Sequence, residues 1–191
     1  MEFDFSQAGA RHELDRASLL AGLADQSVQE FTQGALEASS EGVQPVLNLY
    51  TDGGCSPNPG PGGWAFILRP EGGKQVLEQA GAVHQSTNNR MELMAVIRGL
   101  LALDHPAQVR LVADSEYVVK GLMEWLDGWK RRGWVNSRRK PVLNDDLWKV
   151  LDVLRGYHTL QAEWTRGHAG HPENERCDAL VNRVRRHLDR S

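Results

Sequence analysis

The sequence predicts an α/β protein on a mixed five-stranded sheet, three strands antiparallel and then two parallel, flanked by helices. Two observations predict it. Three strand-like segments joined by short turn signals lie between Pro45 and Val83, as in an antiparallel meander. After them, two short apolar strands alternate with long helical patterns, giving the order β-β-β-α-β-α-β-α with helical crossovers. Length and composition agree: 191 residues, 40% hydrophobic and 25% charged, suit one buried core in an ordinary globular chain.

Residues 1–44 carry Ala10, Leu14, Ala17, Ala21, Ala24, Val28, Phe31 and Ala35 at helical spacing, which predicts a short amphipathic helical extension. Ser39-Ser40-Glu41-Gly42 reads as a linker, so the expected organisation is an acidic extension over 1–44 and a main domain over 45–191. Val46 to Thr51 alternates like a strand and should stop at Asp52-Gly53-Gly54. The run Ser56 to Gly63 is too rich in Pro and Gly for anything but a rigid turn. Trp64 to Leu68 and Gln75 to Val83 are the next strands, joined at Glu71-Gly72-Gly73. Thr87 to Leu103 is a helix whose apolar face holds Met91, Leu93, Met94, Ile97, Leu100 and Leu101. Val109 to Ala113 is a buried strand, a short helix follows from Ser115, and Leu143 to Leu154 is helical. Leu160 to Thr165 is the last strand and Glu173 to Leu188 the last helix.

The net charge of −3 conceals an asymmetry. In residues 1–45 eight acids face two arginines, a balance of −6, so the remainder carries +3. That remainder includes the basic runs Lys130-Arg131-Arg132 and Arg138-Arg139-Lys140, a local field suited to phosphates. Cys55 and Cys177 are the only cysteines, which suits free thiols in a reducing cytoplasm. The N-terminus lacks the pattern of a secretory signal, and the apolar stretch from Leu93 to Leu103 is interrupted by Arg98, so no membrane partner is expected.

Asp52 and Asp114 fall at the ends of two strands, Glu92 in the first turns of a helix and Asp178 within the last helix. Residues at adjacent strand ends of an open α/β sheet face a common crevice. Acids converging there repel one another unless a cation neutralises them. All-oxygen ligands select Mg²⁺ or Mn²⁺, and no Cys/His set with zinc spacing is present. Taken singly, each acid is better explained as a solvated surface residue or a helix cap.

The surrounding motifs decide the matter. Tyr50-Thr51-Asp52-Gly53-Gly54-Cys55 with the turn to Trp64, Thr87-Asn88-Asn89-Arg90-Met91-Glu92, Asp114-Ser115-Glu116-Tyr117-Val118, and Gly167-His168-Ala169-Gly170-His171-Pro172-Glu173-Asn174-Glu175-Arg176-Cys177-Asp178 occur in this order. From about Pro45 to the last helix the chain resembles the type 1 ribonucleases H. The resemblance implies an endonuclease that cuts the RNA strand of RNA/DNA hybrids by a two-metal-ion mechanism, leaving 3′-hydroxyl and 5′-phosphate ends. It further implies that Asp52, Glu92, Asp114 and Asp178 bind the metal ions and that His168, in a mobile loop, shuttles a proton or helps release product.

For the RNA strand the resemblance points to Cys55, Asn58, Asn88, Asn89 and Glu116, facing 2′-hydroxyls in the wide minor groove. For the DNA strand it points to Thr87 and Asn144 at a phosphate, Trp125 and Trp129 with Trp134 along the channel, and Lys130, Arg131 and Arg132 on a basic protrusion. Two positions depart from the family pattern. Glu116 is acidic where relatives carry an uncharged side chain, and Gln85 stands where an arginine often supports the phosphate pocket. A monomer is expected.

Overall fold

The computed structural model describes residues 15–21, 29–36, 45–74, 76–166 and 171–188. In chain order the elements are α1 (Arg16–Ala21), β1 (Gln29–Gly34), β2 (Leu47–Cys55), β3 (Gly60–Pro70), β4 (Leu77–Ser86), α2 (Asn88–Leu101) and β5 (Gln108–Ala113). α3 (Glu116–Lys120) then runs through a π-helical turn, Gly121–Trp125, into α4 (Leu126–Arg131). α5 (Asp145–Tyr157), β6 (Thr159–Trp164) and α6 (Pro172–Leu188) complete the chain.

The expected meander and parallel pair are present. Strand order is β1-β4-β3-β2-β5-β6, antiparallel from β1 to β2 and parallel from β2 to β6. β2 does not stop at Asp52. It continues to Cys55 because β3 supplies partners all the way, Asp52 against Ala65 and Cys55 against Gly62. In the parallel ladder Tyr50 pairs with Val112; Asp52 lies two residues on in β2, and Asp114 lies two residues on, just past the end of β5.

The sheet has six strands rather than five. Residues 29–34, expected to continue a helical stripe, form β1 and pair with β4 in register from Gln29↔Ala82 to Gly34↔Leu77. The helical spacing of Val28, Phe31 and Ala35 misled, because an open sheet edge offers a whole row of backbone partners that outweighs a weak, alanine-rich stripe. The alternation of the strand fits: Phe31 packs under α6, while Glu30, on the other face, pairs with Arg98 of α2. Gly34 ends the strand at φ 82°, where a Cβ would stand 2.0 Å from the Val76 carbonyl oxygen, so a side chain is barred there. α1 is the helical part of the extension among the described residues; residues 1–14, 22–28 and 37–44 lie outside them.

Two cores sandwich the sheet. On one side Leu49, Trp64, Phe66 and Leu68 meet Met91, Met94, Ile97 and Leu100 of α2 and Leu147, Trp148, Leu151 and Leu154 of α5. Each such side chain contributes about 1.5–3 kcal/mol on burial. On the other, Ala65, Ile67, Ala80 and Ala82 meet Cys177, Leu180, Val181 and Val184 of α6. Arg69–Glu173 and Arg176–Glu78 pin the start of α6 to β3 and β4. The helices bearing Glu92 and Asp178 are thereby fixed on opposite faces of the strands bearing Asp52 and Asp114.

Candidate active site

Asp52, Glu92 and Asp114 each bring one carboxylate oxygen to within 4.8 Å of the others. The parallel register delivers Asp52 and Asp114 side by side, and Gly53 admits Glu92. A Cβ on Gly53 would lie 2.3 Å from the Met91 carbonyl carbon and 2.4 Å from the Glu92 nitrogen, so α2 can approach β2 only over a bare glycine. The Gly53 N–H donates to the Glu92 carboxylate. Burial, and then the charges of Asp52 and Asp114, push the Glu92 carboxyl well above the usual carboxylate range. Its Oε2 is buried and has no hydrogen-bond partner among the described residues.

A buried, unpaired acidic oxygen facing two more carboxylates is costly in isolation and fits a hard divalent cation, which supplies the missing positive charge. Asp178 lines the same cleft, outside the triad of Asp52, Glu92 and Asp114. It lines the cleft with Asp52, Asp114, Asn174 and Glu175, and its Oδ1 accepts a hydrogen bond from Asn182 Nδ2 at 2.9 Å. Asn174 escaped the sequence reading although it lies inside a quoted motif. It is buried beside the acids, and its Oδ1 has no hydrogen-bond partner among the described residues. His168 lies outside the described residues.

Three of the residues expected on the RNA side, Cys55, Asn58 and Asn88, are joined to one another. Cys55 N–H donates to Asn88 Oδ1 at 2.8 Å, and Asn88 N–H donates to Asn58 Oδ1 at 3.2 Å. Asn58 therefore caps α2 from the β2–β3 turn, where Thr87 makes no side-chain cap bond. Asn89 is exposed on the first turn of α2. Glu116 is exposed and paired with Lys120 at 2.6 Å.

On the other side, Tyr117, Trp125, Trp129 and Trp148 form an aromatic cluster with centroid separations of 5.3–6.3 Å. Trp134 adopts φ 64° and lies under the Lys149 ammonium, 5.5 Å from its ring centre. Arg131 and Arg132 are exposed, but Lys130 pairs with Asp152 at 2.6 Å. Asn144 precedes α5 in a left-handed conformation. Its Oδ1 lies 3.4 Å from Arg90, which also grips Asp146 through two nitrogens at 3.0 and 2.6 Å. Burial works to raise the Asp146 carboxyl, but the Arg90 fork outweighs it and holds it below its usual value. Arg90 and Tyr117 were not singled out from the sequence, where nothing ties them to residues between 26 and 56 positions away.

Comparison with known proteins shows which family the chain belongs to. The family model described as RNase H matches residues 44–186. The ribonuclease H of Halorhodospira halophila (strain DSM 244 / SL1) is 57% identical over 137 residues, covering 72% of this chain and 91% of that protein. That of Solibacter usitatus (strain Ellin6076) is 52% identical over 145 residues, covering 76% and 98%. Among solved structures, LC9-RNase H1 superposes with a TM-score of 0.66 at 29% identity, over 78% of this chain and 75% of that one. LC11-RNase H1, solved in complex with an RNA/DNA hybrid, gives 0.56 at 25% identity over 74% and 98%. With most of its length matched by the family model and relatives more than half identical over nearly their whole length, the chain belongs to the RNase H family and is a metal-dependent ribonuclease H that hydrolyses the RNA strand of RNA/DNA hybrids.

Proposed function

We propose that Asp52, Glu92, Asp114 and Asp178 hold the catalytic metal, Mg²⁺ with Mn²⁺ as an alternative, and that two ions are held when substrate is bound. The observation carrying this reading is the buried, unpartnered Glu92 Oε2 facing Asp52 and Asp114. When bound, such ions supply Lewis-acid activation of the attacking water and charge neutralisation at the leaving oxygen of the phosphodiester. The chain's own residues do the rest. The carboxylates fix where the scissile phosphate sits, Asp178 does so from α6, and His168 moves a proton or helps release product.

Cys55, Asn58, Asn88, Asn89 and Glu116 read the RNA strand through its 2′-hydroxyls and sugar edges. Thr87 and Asn144 take a DNA phosphate. Trp125, Trp129 and Trp134 pack on deoxyriboses, while Lys130, Arg131 and Arg132 neutralise flanking phosphates. Lys130 must exchange Asp152 for phosphate, so its share of the binding is the smallest of the three cations.

The catalytic unit is residues 45–191, with 1–44 an appended acidic segment. The enzyme works as a monomer in the cytoplasm, where its free thiols suit a reducing environment. The test is cleavage of a labelled RNA/DNA hybrid, double-stranded RNA and double-stranded DNA with Mg²⁺ and then with EDTA. Only the hybrid in Mg²⁺ should be cut. Equal activity of wild type and Asp52→Asn, or equal cutting of duplex DNA, would overturn the assignment.

A further inference from the structure

The Tyr117 hydroxyl bonds to three groups at once. It accepts from Trp148 Nε1 at 2.8 Å and from Asn144 Nδ2 at 3.2 Å, and it donates to the Leu143 carbonyl at 3.2 Å. One donor and two lone pairs are all that a hydroxyl has, so its capacity is used in full. Two of these partners, Leu143 and Asn144, form the turn that enters α5, and Asn144 holds φ 60° and ψ 33° there. A non-glycine residue in that conformation needs support from its surroundings.

Asn144 is gripped at both ends of its amide. Oδ1 faces Arg90 at 3.4 Å, itself locked on Asp146, and Nδ2 gives one hydrogen to Tyr117. The second Nδ2 hydrogen is then the one whose direction the network sets without consuming it. Tyr117 also lies three residues after Asp114, on the helix that starts where β5 ends. Ser115 caps that helix by accepting from Val118 N–H at 3.4 Å. The Tyr117 ring packs edge-on against Trp148, with centroids 5.5 Å apart.

We infer that Tyr117 is a positioning residue that aims Asn144 at a DNA-strand phosphate and ties that contact to the segment carrying Asp114. This rests on the assignment of Asn144 proposed above. It makes Tyr117, a residue that touches no substrate, a determinant of how tightly the DNA strand is held. The phenylalanine variant keeps the ring packing and removes only the three hydrogen bonds.

The experiment is a double-mutant cycle of Tyr117→Phe and Asn144→Ala, read as KM and kcat on a hybrid in Mg²⁺ at a temperature where melting curves show all four proteins folded. Each single variant should raise KM about tenfold with kcat within about twofold of wild type, as expected when binding shared by ground and transition states is lost. The double variant should be no worse than Asn144→Ala alone. If Asn144→Ala leaves KM unchanged, the phosphate assignment itself fails and the inference with it. If Asn144→Ala raises KM while Tyr117→Phe does not, or if the two effects multiply, the assignment stands and the inference on Tyr117 is wrong. A purely structural tyrosine would lower the melting temperature and leave KM at its wild-type value.

Discussion

Glu30 reaches across the sheet edge to Arg98, its Oε1 3.1 Å from the guanidinium, and so ties the N-terminal strand to the helix that carries Glu92. On the opposite face of the same strand, Phe31 joins the core under α6 with the Arg183 guanidinium 4.9 Å from its ring centre. Leu19 and Leu36 pack against the other core. The ion pair is half-exposed and contributes little; the apolar contacts and the pairing of the β4 edge matter more. Deleting residues 1–36 should therefore cost about 2–4 kcal/mol and lower the melting temperature by roughly 5–15 °C. Glu30→Gln alone should shift it by less than about 3 °C. A deletion variant that melts with wild type would show the strand to be idle.

Charge repulsion in the cleft gives the second prediction. Without metal, Asp52 raises the cost of ionising Glu92. Asp52→Asn should raise the melting temperature of the EDTA-treated protein by about 2–4 °C, on the order of 1 kcal/mol. The same change should remove the stabilisation that Mg²⁺ gives to wild type and reduce hybrid cleavage by about a thousandfold or more, since several kcal/mol of transition-state stabilisation go with the ion. Melting curves with EDTA and with Mg²⁺ read the first two effects.

The pH dependence of stability follows from the same carboxyl. Burial first, then Asp52 and Asp114, hold the Glu92 carboxyl well above its ordinary value in the folded, metal-free protein. Between that ordinary value and the raised one, the folded chain keeps a proton that the unfolded chain has released. This contribution is complete at the acid end and is lost as pH rises through the raised value. Bound Mg²⁺ competes with the proton, so the gain from Mg²⁺ should grow as pH rises. Glu92→Gln cannot titrate, and its metal-free stability should fall less with pH than that of wild type. Parallel curves for the two proteins from about pH 5 to 8 would contradict this.

The sequence made the parallel pair and the acids at its ends readable, because strand period, turn residues and helix stripes are local patterns. Asp52 and Asp114 needed only adjacent strands, and Glu92 only the start of a helix. β1 was not readable, since what makes Gln29–Gly34 a strand is the open edge of β4 more than forty residues later. Tyr117 was not readable for a similar reason: its three partners lie between 26 and 31 residues away. Lys130 looked like a free cation in its basic run, and only tertiary packing brings Asp152 to it. Asp178 reaches the same cleft as Asp52 and Asp114 from α6, on the opposite face of the sheet from Glu92, and no local pattern shows that convergence.

Gly53 supplies the sharpest contrast between a glycine the site needs and one it does not. A methyl group there would run into backbone atoms, the Met91 carbonyl carbon at 2.3 Å and the Glu92 nitrogen at 2.4 Å, and backbone cannot swing aside as a side chain can. Gly53→Ala must push the start of α2 off β2, breaking the hydrogen bond from the Gly53 N–H to Glu92 and opening the triad. Hybrid cleavage should fall by about a hundredfold or more where the variant is still folded, because a displacement of about 1 Å costs that much when geometry carries the reaction. The Mg²⁺ concentration for half-maximal stabilisation should rise with it. Gly156, inside α5, has open space around its missing Cβ. Gly156→Ala should raise the melting temperature by about 2–4 °C, through better helix propensity and a less flexible unfolded chain, and leave cleavage unchanged. If the two variants behaved alike, close approach of α2 to β2 would not be what builds the metal site.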